Sequence, residues 1–413
     1  MLSRALLGMW LVLAPMAAPA QTFDAAVRAE GEKFLAEEQG VGLTIGVLRD
    51  GEVHFHGFDE TARGGGAPCK DTAFEIGSIS KTMTGLLLAR AVLAGKASLD
   101  DDVRKYLDGA YPGLAFEGEP VRLVHLASMT SGLPDNLPDL SKLDPDPGRF
   151  KHAEALKAYG RAQFLKDLRT VSPAARPGEN VAHSNVAAQL LIVALERIYG
   201  MPYDRILARE IEGPLGFGAK DAATGHDAEG RVAAVLPRDQ FGYRYSAADM
   251  LRYAALQLDE RDPAVALSHK GSWFTLDKQS WVGLGWIVSR LPEGGRQLRY
   301  SGGTWGFASA MMLWPEKKLA VILLANKASD TAQGRLGEIA GRIAAGAWGA
   351  TQSANPVTPA NKLMHNRAPA FPPAPVLAKR AGHGPACRFH PHRRFRQPGY
   401  PADRAPRARG GRL

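Results

Sequence analysis

Cysteine is nearly missing from this chain: its 413 residues include two, Cys69 and Cys387. The second lies in a proline-rich tail, so a disulfide framework is excluded as the source of stability and a hydrophobic core must supply it. The length and the 45% hydrophobic content suffice for two packed units or one large mixed domain. Long apolar runs are scarce as well. After residue 20 none reaches the roughly 20 residues needed to cross a bilayer, so no stable membrane span is expected. Nor does the body of the chain carry an excess of one charge, since residues 1–351 hold 39 Lys and Arg against 41 Asp and Glu. The formal +9 of the whole chain comes from residues 352–413, where twelve basic residues face one acid, Asp403. A nucleic-acid-binding face is thereby excluded for the body. Internal repeats are missing too, which excludes solenoid and propeller architectures.

What is present at the start has the layout of a secretory signal: Arg4, a short apolar stretch over 5–16, and the small-residue site Ala18-Pro19-Ala20. Residues 1–20 are therefore expected to be removed, with the mature chain starting near Gln21 in the periplasm or outside the cell. Residues 352–413 hold eleven prolines and four of the eleven histidines, with hardly any apolar periodicity, and read as a disordered tail. An arm that grips anionic envelope polymers is the functional alternative, and a shifted reading frame is another.

Between these ends the hydrophobic period changes twice. A helix over about 23–38 leads into an apolar run at 41–48, the turn signal Asp50-Gly51 and an alternating run at 52–58, which together predict a β-hairpin. The end mirrors this, with apolar runs at 308–314 and 319–325 joined by Pro-Glu-Lys-Lys and followed by a helix over 331–348. In the middle, apolar spacings of three and four predict helices over 78–94, 150–170, 184–199 and 247–257, with Gly95 and Gly200 as stops. The expected fold is α+β: an antiparallel sheet made from both chain ends (about 21–95 and 285–351), flanked by helices, with a mostly helical insertion over about 96–284.

The stretch Ser78-Ile79-Ser80-Lys81 places a hydroxyl and an amine one helical turn apart, close enough to meet. A serine becomes a nucleophile when its proton is taken, and a lysine held in a dry site loses its own proton near neutrality and can take it. A helix N-terminus at Ser78 adds a backbone N–H suited to a developing oxyanion. The bland alternative is an N-cap serine beside a solvated lysine, but Lys81 between Ile79 and Met83 on an apolar helix is a costly choice for solubility alone. No cofactor is expected, and no metal: His54 and His56 share one face of a predicted strand without a nearby carboxylate or third ligand.

The surrounding pieces carry a resemblance. Phe-Glu-Ile-Gly-Ser-Ile-Ser-Lys-Thr-Met-Thr-Gly at 74–85 is followed by Leu99-Asp100-Asp101-Asp102-Val103, Leu126-Ala127-Ser128-Met129-Thr130-Ser131-Gly132-Leu133-Pro134, Pro177-Gly178-Glu179 and Ser184-Asn185. Pro214-Leu215-Gly216, Gly283-Leu284-Gly285-Trp286 and Gly302-Gly303-Thr304-Trp305-Gly306-Phe307 complete the series. In order and spacing, over roughly residues 40–345, these resemble class C β-lactamases and their relatives among penicillin-recognising serine hydrolases, the DD-peptidases and β-lactamase-like esterases. The resemblance implies the sheet-plus-insertion fold, Ser78 as nucleophile, Lys81 as its proton partner, and Asn185 positioning Lys81 and the substrate amide. It also places Ser301, Gly302 and Gly303 along the substrate, with the Gly303 N–H completing the oxyanion site.

Two departures stand out. Relatives carry Tyr-x-Asn where this chain has His183-Ser184-Asn185, and Lys-Thr-Gly or a histidine-led version where it has Tyr300-Ser301-Gly302. His183 can relay protons at neutral pH, or it can merely satisfy a loop hydrogen bond. Tyr300 can donate a hydrogen bond or take over the acid–base work, but it cannot supply the cation that meets a substrate carboxylate. The resemblance implies an enzyme acting on a small β-lactam, with carbapenems as a refinement suggested by the tyrosine-led third element; with the signal segment it is expected to be exported, and it is expected to be a monomer. The alternatives are a DD-carboxypeptidase or endopeptidase acting on D-Ala-D-Ala-like peptidoglycan ends, an esterase, and a silent peptidoglycan-binding module.

Overall fold

The structure is a computed structural model and describes residues 20–347 apart from Pro145. All but the last residue of the expected signal, and the whole tail at 352–413, lie outside the described residues.

Its frame is one eight-stranded sheet in the order Glu52–Asp59, Gly42–Arg49, Leu319–Ala325, Ala308–Trp314, Arg296–Gly303, Ile287–Arg290, Ser280–Val282, Trp273–Phe274. Neighbours are antiparallel throughout. The two chain ends meet as expected, with Leu43 opposite Ala325 and Arg49 opposite Leu319. The far edge is supplied by residues 273–282, within the stretch expected to be helical.

The central strands are apolar at every position because both faces are covered. Along Leu319–Ala325, the side chains of Leu319, Val321 and Leu323 join Phe23, Val27, Phe34, Leu336 and Ile343 of the terminal helices Ala20–Glu38 and Ala332–Ala347. The alternate residues Ala320, Ile322 and Leu324 join Ile79, Leu86 and Leu251 on the opposite face. That second face is covered by the helix Ala247–Gln257, capped by Ser246 and Asp249 in a reciprocal box, and the helix Ser80–Leu93 shares the same core.

The expected helix at 184–199 forms as Asn185–Tyr199, with Ser184 Oγ accepting from Ala187 N at 2.9 Å. The helix expected over 150–170 forms as Phe150–Asp167 but is interrupted at Gly160. A small second sheet pairs Thr72–Glu75 with Arg244–Ser246 and steers the chain into Gly77. Ile79, Met83, Leu86 and Leu87 are all buried. At roughly 1.5–3 kcal/mol for each buried side chain, they anchor the helix that carries Lys81 and the turn before it that carries Ser78.

Candidate active site

The chain turns into this helix through a short 3-10 turn, Gly77–Ile79. Gly77 sits at φ +51, and a Cβ there would lie 2.8 Å from Gly303 O. Across the same seam, a Cβ on Gly302 would lie 2.0 Å from Ile76 O and 2.9 Å from Ser78 N. Glycine at both places lets the strand Arg296–Gly303 press its backbone against the nucleophile turn. Ser309 fastens the seam by donating to Ile76 O at 2.9 Å. Among the described residues, the ladder between this strand and Ile287–Arg290 ends at Arg299, so 300–303 border the site with one edge unpaired.

Lys81 Nζ lies 2.7 Å from Ser78 Oγ and 2.8 Å from Asn185 Oδ1. Burial pushes its amine from the usual 10.5 down to about 7, against the upward pull of Asp135. The ring of Phe241 covers it, 4.4 Å from Nζ to the ring centre. His183 presents Nε2 at 3.4 Å from both Ser78 Oγ and Lys81 Nζ. Its pKa is lowered by burial and then by the Lys81 charge, with Asp135 opposing. At neutral pH the imidazole is therefore uncharged and able to accept a proton.

Ser78, Lys81, His183 and Asn185 are thus brought together, 102 to 107 residues apart for the pairs that join the two segments. Tyr300 is not. Its side chain is 2% exposed, packed with Met129 and Val282, and its hydroxyl approaches Met129 Sδ at 3.3 Å. Burial pushes the phenol's pKa up, so the expected exchange of work between His183 and Tyr300 is not what the geometry offers. By strand alternation Ser301 falls on the face of Gly303, which is directed at Gln333 of the last helix, while Tyr300 and Gly302 share the face toward the nucleophile turn.

One residue escaped the reading of the sequence. Asp135 Oδ1 accepts from His183 Nδ1 at 2.6 Å. Burial works against its charged form, but the hydrogen bond and charge of His183, then the charge of Lys81, hold the Asp135 carboxyl below the usual range. Its loop is clamped to the start of the helix Asn185–Tyr199: Asn185 N donates to Asp135 O at 2.7 Å, Ser184 Oγ to Pro134 O at 2.7 Å, and Asn185 Nδ2 to Asn136 Oδ1 at 2.8 Å. The available signal was Asp135-Asn136 directly after the Thr-Ser-Gly-Leu-Pro piece. His54 and His56, for their part, do have a carboxylate nearby, with Asp24 Oδ1 at 3.4 and 3.3 Å, on the outer strand. Among the described residues no group of three or more such ligands is arranged to hold a metal.

The profile of a family described as Beta-lactamase matches residues 23–345. The chain is 27% identical over 319 residues to the D-alanyl-D-alanine-carboxypeptidase/endopeptidase AmpH of Escherichia coli, covering 70% of this chain and 80% of that one. It is 24% identical over 348 residues to a Beta-lactamase of Pseudomonas fluorescens, covering 72% and 91%. A crystal structure of a Beta-Lactamase/D-Alanine Carboxypeptidase from Pseudomonas syringae superposes with a TM-score of 0.65 at 20% identity, covering 80% of this chain and all of that one.

Proposed function

The chain belongs to the Beta-lactamase family and is a serine hydrolase; on that premise we propose that it is exported and hydrolyses β-lactam amides through an acyl-enzyme on Ser78. The observation that carries this is the 2.7 Å contact between Ser78 Oγ and a buried amine with a pKa of about 7. In its neutral form Lys81 takes the Ser78 proton as Oγ bonds to the carbonyl carbon. The carbon–nitrogen bond then breaks and the leaving nitrogen takes that proton from Lys81. The N–H groups of Ser78 and Gly303, either side of the glycine seam, receive the oxyanion. Water finishes the cycle, releasing a carboxylate and restoring Ser78.

A second reading, DD-carboxypeptidase or endopeptidase action, is favoured by the likeness to AmpH. An esterase is favoured by the buried neutral Tyr300 where relatives carry a cation, since a carboxylate on the substrate then has less to bind. Intact-mass spectrometry of the protein mixed with benzylpenicillin, alongside turnover of nitrocefin and nitrophenyl esters, separates them. A β-lactamase gives nitrocefin turnover and a transient adduct, a DD-peptidase a long-lived adduct, and an esterase turns over the esters alone. Ser78→Ala must abolish whichever activity is found. If it leaves hydrolysis unchanged, the proposal is wrong.

A further inference from the structure

We propose that Asp135 is a positioning residue that fixes His183 as the base of the deacylation step, dividing the two half-reactions between His183 and Lys81. This presupposes the Ser78 acyl-enzyme proposed above. The first observation is the 2.6 Å contact between His183 Nδ1 and Asp135 Oδ1. An ionised carboxylate only accepts, so the ring must carry its proton on Nδ1 and turn the Nε2 lone pair toward Ser78. The second is the clamp on the 134–136 loop by Ser184 and Asn185, which holds this carboxylate against the residue next to them in sequence.

The third is the inequality of the distances at Ser78 Oγ: Lys81 Nζ is at 2.7 Å and His183 Nε2 at 3.4 Å. Lys81 is the partner for the Ser78 proton in acylation. Once Oγ is acylated it has no proton to exchange, and the attacking group is a water that needs a base one hydrogen bond away. His183 Nε2, 3.4 Å from Oγ and not tightly bonded to it, is free to accept a proton from a water attacking the acyl carbon beside Oγ. In the step, one water proton goes to Nε2 while the water oxygen bonds to the acyl carbon. The bond from that carbon to Oγ then breaks, and Oγ recovers a proton from Nε2 directly or through Lys81, 3.4 Å from it. The charged groups facing His183 are Lys81, which opposes its protonation, and Asp135, which favours it.

Asp135→Asn in the whole protein tests this. The amide lets the ring adopt the other tautomer, with a hydrogen on Nε2. Rapid-mix mass spectrometry with the acylating probe, benzylpenicillin or a nitrophenyl ester, should show an acylation rate within about threefold of the parent and a deacylation rate down by about a hundredfold or more. The adduct then accumulates. Asp135→Glu should recover part of the deacylation rate. Without the negative charge that raises the His183 pKa, the acid limb of the residual deacylation profile should move to lower pH, which a purely structural loss would not do. Nitrogen-15 NMR of the His183 ring in the parent, which needs no substrate, should report hydrogen on Nδ1. A ring protonated on Nε2 in the parent, equal slowing of both half-reactions by Asp135→Asn, or an unmoved acid limb would each overturn the proposal. Failure of the underlying hydrolase reading is a separate result, seen as hydrolysis that survives Ser78→Ala.

Discussion

Replacing Lys81 by Met should make the protein more stable at acid pH and less so at alkaline pH. In the folded state the amine has a pKa of about 7 instead of the usual 10.5. Below pH 7 it is protonated both folded and unfolded, and the folded state bears the whole cost of a buried ammonium, on the order of 5 kcal/mol. Between pH 7 and 10.5 the unfolded chain holds a proton that the folded one lacks, so stability rises with pH by slightly more than 1 kcal/mol per pH unit. Above that window the cost is gone. Methionine has similar length and no charge, so it removes the penalty together with the hydrogen bonds to Ser78 and Asn185, which are worth about 1 kcal/mol each. The variant should therefore exceed the parent by roughly 2–3 kcal/mol at pH 6 and fall below it by about 1–2 kcal/mol near pH 10.5. Urea denaturation followed by tryptophan fluorescence at pH 6, 8 and 10.5 measures this directly. A difference between the two proteins that is the same at all three values would refute a depressed Lys81 pKa and, with it, the use of this amine as a base.

Gly302→Ala drives a Cβ to 2.0 Å from Ile76 O, a backbone atom that cannot yield, so it should cost about 1–3 kcal/mol and at least a tenfold loss in kcat as the oxyanion seam opens; thermal melting and steady-state kinetics check both. By contrast Gly341→Ala, where nothing lies within 4 Å of the added carbon, should raise stability by up to about 1 kcal/mol in the same melts and leave kcat unchanged. Tyr300→Phe removes a hydroxyl whose hydrogen-bond partner among the described residues is Met129 Sδ, so kcat and its pH profile should hold within about threefold; loss of the basic limb of that profile would return Tyr300 to the acid–base machinery.

The terminal hairpins were legible because their signals are local: runs of β-branched and apolar residues, a short turn segment in each, and a helix before the first and after the second. Ser78 and Lys81 were legible for the same reason, since one helical turn sets their separation whatever else the chain does. The resemblance then supplied Asn185 and the glycines at 302 and 303. What could not be read is what depends on contact between distant segments. Asp135 meets His183 across 48 positions, and nothing in the period of either segment encodes that approach. Tyr300 was placed on the correct strand, but which way its phenol is aimed depends on Met129 and Val282 filling the space beneath it. The silent binding module gives way to the enzyme because the chain belongs to a family of serine hydrolases, and Lys81 Nζ stands within hydrogen-bond reach of both Ser78 and Asn185.

The pairing of the two chain ends has a kinetic consequence. Leu43 sits opposite Ala325, so forming the middle of the sheet closes a loop of roughly 280 residues, at an entropic cost on the order of 5 kcal/mol. Such distant pairings come late and slowly in folding. The strand Arg296–Gly303 pairs locally with Ala308–Trp314, but its seat against Gly77, which completes the pocket, is another approach between distant segments. A chain interrupted before residue 325 can build its helices but not its pocket, so hydrolysis during refolding should appear with the slowest phase and serve as a clock for completion of the whole molecule.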